Sequence, residues 1–144
     1  MQGSVNTYLY IHAIWCTAGR QRVISQVVKR VLFPQMKQSA EQKGMQVMAV
    51  NGADDHVHCL FKLLPTQSVS EIVNQLKNES GDWLNSNKFL PQRFEWEDIY
   101  SAYSVSPSTV DKAIVYINNQ EEYHKAKTLD EELAALDKMV VHVT

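Results

Sequence analysis

The spacing of apolar residues along this chain changes several times, and each change marks an element. Residues 4–18 (SVNTYLYIHAIWCTA) concentrate β-branched and aromatic types and predict a strand, which Gly19 ends ahead of a basic turn. From Ser25 the pattern becomes helical and runs to Gly44, a natural C-terminal stop, with Pro34 predicting a kink or break inside it. MQVMAVNGADDHVHCLFKLL holds two strand-like runs joined by NGADD, which is hairpin chemistry, and Pro65 closes the second run. Ser68 and Glu71 form a capping box opening a helix over about 68–85. FEWEDIYSAYSVS predicts a further strand, and SPSTVDKAIVYINNQEEYHKA a long helix capped by Ser106 or Ser108. A last, charged helix over 128–139 is expected to be peripheral, as is the tail after it.

The order strand–helix–strand–strand–helix–strand–helix fits an α+β fold, a ferredoxin-like (RRM-like) sandwich with an antiparallel sheet and helices on one face. No repeat, low-complexity tract or linker divides the 144 residues, so they are expected to form a single domain, 1–144.

Composition narrows the classes. With 44% apolar and 21% charged residues the chain has the make-up of an ordinary globular protein, which excludes a disordered one. It has no bilayer-length apolar run and no basic lead into an apolar stretch at its start, so a cytoplasmic location is expected. Cys16 and Cys59 sit in apolar runs and read as reduced, buried hydrophobes. The net charge of −2 argues against a general nucleic-acid coat protein, but its distribution is uneven. Through residue 44 six cations (Arg20, Arg22, Lys29, Arg30, Lys37, Lys43) oppose Glu41 alone, while the tail is acidic. A basic front half can meet phosphates while the tail stays away.

The candidate chemistry begins at DDHVHCLF. Alternation along a strand puts His56 and His58 on one face and Val57, Cys59, Phe61 and Leu63 on the other, where helices should cover them. Two imidazoles on one face can reach a single ion, or can be half-exposed strand residues making ordinary hydrogen bonds; two ligands alone do not hold a metal. The late helix carries Tyr116 and Gln120 four apart, hence on one face, beside an apolar stripe of Val110, Ala113, Ile114 and Ile117. Two imidazoles and an amide oxygen leave positions on a divalent ion for a phosphate, which a neighbouring tyrosine can attack. A phosphate substrate and oxygen ligands favour Mg2+ or Mn2+. Tyr123, two turns on, is the rival nucleophile. His124 is either a fourth ligand or a solvated side chain, and the second is the expectation. Trp15 and Trp83 are expected to pack in the core rather than stack on bases.

Five stretches in this order resemble the single-tyrosine HUH transposases of bacterial insertion sequences, of the IS200 type: YIHAIWCTAGRQRVI, DDHVHCLF, VSEIVNQLKNESGDWLN, FEWEDIYSAYSVS and YINNQEEYH. The resemblance implies a DNA transposase acting on single-stranded DNA near hairpins at the ends of its element. It implies Tyr116 as nucleophile, His56, His58 and Gln120 as metal ligands, and a 5′-phosphotyrosine with a free 3′-OH. It also implies a homodimer whose tyrosine helix often completes the partner's site. Phosphate contacts are expected from Arg20, Arg22 and Lys77. Cys59, Asp82 and Ala18 depart from residues common in the family. The alternative is a domesticated hairpin-DNA-binding protein without strand transfer, and a metal-binding module unrelated to DNA is a weaker third.

Overall fold

The computed structural model describes residues 5–142; residue 4 of the first predicted strand and the end of the expected tail, 143–144, lie outside them. Eight of its elements build the ferredoxin-like frame and the helices behind it: β1 (Leu9–Cys16), α1 (Gln26–Gln42), β2 (Gln46–Gly52), β3 (His56–Leu63), α2 (Val69–Ser86), β4 (Ser101–Val105), α3 (Val110–Asn118) and α4 (Gln120–Ala126). A ninth, α5 (Leu129–Lys138), closes the described chain. The four strands form one antiparallel sheet in the order β2-β3-β1-β4. The fold class predicted from the order of elements is therefore the one observed.

One face of the sheet carries Ala13, Trp15, Val57, Cys59 and Phe61, and these meet Leu32, Phe33 and Met36 of α1 and Ile72, Val73 and Leu76 of α2. Trp15 is thus core, as expected, and Trp83 packs beside Phe89. Cys16 and Cys59 are buried and unpaired. The opposite face holds a smaller cluster of Ala49, Leu60, Val110 and Ile117, through which α3 docks on β2 and β3. That second docking covers the face on which alternation places the histidines, so helices lie on both faces of the sheet rather than on the one expected, and the histidines are buried.

Local differences from the sequence reading have local causes. α1 runs unbroken through Pro34, which lies on its solvent side, where water can take the carbonyl that loses its donor. The long helix predicted over 106–126 starts through a 3-10 turn at Pro107–Thr109 and is interrupted at Asn119, between α3 and α4. There the Asn119 N–H donates to Tyr116, three residues back, rather than to the fourth residue back. Two successive asparagines, weak helix formers, stand at that break. β4 is shorter than its apolar pattern, because Trp96 turns inward to the core and Ser80, donating its Nε1–H to that hydroxyl at 2.9 Å.

The β2–β3 turn is unusually close. A Cβ on Gly52 would stand 2.1 Å from the His56 carbonyl oxygen, so only glycine allows the two strands to meet there. The turn sets Asp55 directly before His56 and starts the strand on which both histidines ride.

Candidate active site

Four elements converge on this second face of the sheet. His56 and His58 project from β3, as strand alternation requires, and both are fully buried. Gln120, the first residue of α4, is fully buried above them, with its Oε1 3.2 Å from His56 Nε2. His124, one turn on, places its Nε2 3.0 Å from the same Oε1. α5 then folds back and inserts Glu132, whose Oε1 lies 3.2 Å from His58 Nε2 and 3.1 Å from His124 Nε2. Its second oxygen, Oε2, accepts from Gln120 Nε2 at 2.9 Å and from the Tyr116 hydroxyl. The predicted residues Tyr116, His56, His58 and Gln120 are thus brought together, and all within one chain.

Two expectations are corrected. His124 is not solvated: it joins the cluster because the break at Asn119 and the fold-back of α5 enclose its ring. The last helix is not wholly peripheral, since Leu129 and Glu132 of α5 are buried. His12, Asp55 and Glu132 were not singled out from sequence. His12 had one signal, a lone polar residue in an apolar strand. Asp55 had its adjacency to His56. Glu132 had none among the many acids of the tail.

The imidazoles are held as metal ligands usually are, with one nitrogen tied back and the other presented inward. His56 Nδ1 meets the Asp55 carboxylate at 2.7 Å, His58 Nδ1 meets His12 Nε2 at 2.7 Å, and His124 Nδ1 donates to the Lys127 carbonyl at 2.9 Å. All three Nε2 atoms turn toward Glu132 Oε1. One donor atom from each of His56, His58, His124 and Glu132 lies within 4.8 Å of the others. Three inward-facing imidazoles with the Gln120 amide oxygen beside them, buried and pre-oriented, suit a divalent transition ion, so the residues fit a metal.

The same contacts set the electrostatics of the metal-free site. Burial alone would lower the His56 pKa, but the carboxylates of Asp55 and Glu132 raise it to about 9. Burial, then the neighbouring His58, lowers His12 to about 3. A neutral His12 can accept from His58 Nδ1–H, which leaves His58 Nε2 free as a ligand. His58 itself is lowered, mainly by burial. Burial would raise Glu132, but hydrogen bonding from His56 and from the Tyr116 hydroxyl holds it ionised well below the carboxylate range. Burial and the Glu132 carboxylate push the Tyr116 phenol above its ordinary value.

The expected phosphate contacts divide. Arg22 is exposed at the rim of a cleft beside Asp55 and His124. Arg20 pairs with Asp130 of α5 at 2.6 Å. Lys77 is buried on the inward side of α2, where burial lowers its pKa against the pull of Asp98 and Glu97.

A ferredoxin-like sheet bearing a histidine pair, with a helical tyrosine over it, defines the class of HUH-type tyrosine transposases. Residues 5–120 match the family model described as Transposase IS200 like, and the chain belongs to that family. It is 29% identical over 123 residues to the ISDra2 transposase TnpA of Deinococcus radiodurans, covering 79% of this chain and 85% of that protein. A solved structure from the same organism, assigned to the transposases, superimposes with a TM-score of 0.65 at 27% identity, covering 83% of this chain and 97% of the other. The structure of a REP-associated tyrosine transposase bound to a REP hairpin shares the fold, with a TM-score of 0.60 at 11% identity over 86% of this chain and 74% of that one.

Proposed function

We propose that this transposase cleaves and rejoins single-stranded DNA at hairpin-flanked element ends through a 5′-phosphotyrosine on Tyr116. The observation that carries the reading is the convergence on one carboxylate: Glu132 meets the Tyr116 hydroxyl with one oxygen and the imidazole cluster with the other. Nucleophile and candidate ligands therefore share one small volume. Tyr123 packs its ring edge-on against Tyr116, with centroids 5.5 Å apart, and it is the Tyr116 hydroxyl that meets Glu132 beside the imidazoles, which supports Tyr116 as the attacking residue.

His56, His58 and Gln120, with His124 beside them, would hold the metal, and Asp55 and His12 would orient the two strand histidines. A bound divalent ion would polarise a phosphate oxygen and offset the charge that develops as the tyrosine attacks. The imidazole-rich donor set favours Mn2+ over Mg2+. The tyrosine oxygen forms a bond to phosphorus, the bond to the 3′ oxygen breaks, and the free 3′-OH remains for rejoining. One phosphodiester replaces another, so no nucleotide cofactor is required.

Arg20 and Arg22 are proposed to contact DNA phosphates. The hairpin in the REP-associated neighbour is consistent with a hairpin partner here, and the edge position of β4 leaves a strand through which a homodimer could pair. The test uses hairpin-flanked single-stranded oligonucleotides with Mg2+ or Mn2+ and a denaturing gel. A covalent protein–DNA band should form and should vanish in Tyr116→Phe and in His58→Ala. A band that survives Tyr116→Phe but is lost in Tyr123→Phe would refute the assignment of the nucleophile.

A further inference from the structure

Glu132 is the one member of the cluster that the proposed chemistry does not explain. A phosphodiester undergoing attack must touch the Tyr116 oxygen and the metal-facing imidazoles at once. That position is filled. Glu132 Oε2 takes the hydroxyl hydrogen bond of Tyr116 and a second from Gln120, while Oε1 faces His58 and His124. The carboxylate is 1% exposed and the histidines of β3 are 0% exposed, so no DNA strand reaches them past α5 as it lies here. An anion already seated among these groups also repels a second one.

The helix carrying Glu132 is built to leave. Leu129 and Glu132 are its only buried residues. Lys127 and Thr128, which join it to α4, are both extended, and a capping box closed by Glu131 starts the helix independently of what precedes it. Its outer half, at Ala135, Leu136 and Met139, borders a cavity of about 810 Å³ shared with Tyr103, Lys112 and Tyr116 rather than packed core. Outside the cluster it is tied to the body by the buried Leu129 and by the exposed Arg20–Asp130 pair, the latter a contact worth little.

We propose that α5 is an autoinhibitory strap in which the Glu132 carboxylate stands in for the scissile phosphate, and that single-stranded DNA engages the site only when α5 lifts about the 127–128 link. The inference rests on the proposed tyrosine chemistry for its meaning but predicts a motion that is measured without it. Arg20 links the two: a phosphate that draws Arg20 away from Asp130 also loosens the strap.

Two measurements test it. Hydrogen exchange is followed in the full chain with EDTA present, so that no cleavage occurs, with and without a single-stranded hairpin oligonucleotide. Amides of 129–138 should lose protection when DNA binds, whereas unchanged or increased protection overturns the strap. The initial rate of covalent adduct formation with Mn2+ is then compared among wild type, Glu132→Ala and Leu129→Ala, with Mn2+ affinity measured by calorimetry. Leu129→Ala touches no polar group of the site and should speed adduct formation roughly tenfold by populating the open state, with Mn2+ affinity unchanged. Glu132→Ala should do the same by emptying the phosphate position. Slower adduct formation in both variants, with weaker Mn2+ binding in Glu132→Ala, would make Glu132 a working ligand and overturn the proposal. If α5 opens on DNA but no variant forms an adduct, the tyrosine chemistry fails and the strap stands. If wild type forms the adduct with α5 fully protected, the strap fails and the chemistry stands.

Discussion

Raising the pH of the metal-free protein should destabilise it well before lysines or tyrosines titrate, and His56 is the reason. In the folded chain its pKa stands at about 9, against 6.5 for an unperturbed imidazole, because the Asp55 and Glu132 carboxylates outweigh the cost of burial. Below pH 6.5 the ring is protonated folded or unfolded, and its contribution is present in full. From 6.5 to about 9 the folded state keeps a proton that the unfolded state has released, so stability falls by about 1.4 kcal/mol per pH unit, about 3 kcal/mol in all. His12 acts on the other side. Its pKa of about 3 keeps it neutral in the folded state, while the unfolded ring takes up a proton below 6.5, so stability is lost as pH falls from 6.5 toward 3. Stability should therefore peak near pH 6.5. Urea denaturation followed by circular dichroism in EDTA, from about pH 5 to about pH 9.5, measures both limbs. Asp55→Asn removes the carboxylate on Nδ1 and should flatten the alkaline limb. Added Mn2+ should reverse that limb, because ligation needs the neutral imidazole. A wild-type stability that holds constant or rises between pH 6.5 and 9, or an alkaline limb indifferent to Asp55→Asn, would refute the reasoning.

Gly52→Ala should cost about 2–3 kcal/mol, read as a lower urea midpoint, because its Cβ would meet backbone at His56 rather than a side chain that can move. His12→Phe should weaken Mn2+ binding about 10- to 100-fold by calorimetry although His12 is no ligand, since it removes the partner of His58 Nδ1. Fluorescence anisotropy against salt concentration should show Arg22→Ala lowering the slope of log affinity by about 1, with Lys77→Met leaving it unchanged. Equal slopes for wild type and Arg22→Ala would remove Arg22 from the interface.

The frame of the fold was legible because its signals are local. Period-two alternation set which face of β3 bears His56 and His58, the glycine at 44 and the serine at 68 marked helix ends, and the NGADD turn paired β2 with β3. Tyr116 and Gln120 were legible as a pair because helical spacing holds nearly through the break at Asn119, and both still reach Glu132. Pro34 misled for a local reason as well, since a proline on the wet side of a packed helix need not end it.

What the chain determined by itself was which residue types could do phosphoryl chemistry and which face of which element would carry them. Only the tertiary structure decided which of them meet. His12 lies 46 residues from His58, and Glu132 lies 74 residues from it, yet both bond to its ring. No periodicity encodes such distances; they arise when β1 pairs with β3 and when α5 turns back beneath α4. The same packing covered most of Lys77 and enclosed His124, because burial depends on what lands opposite a residue and not on the residue itself.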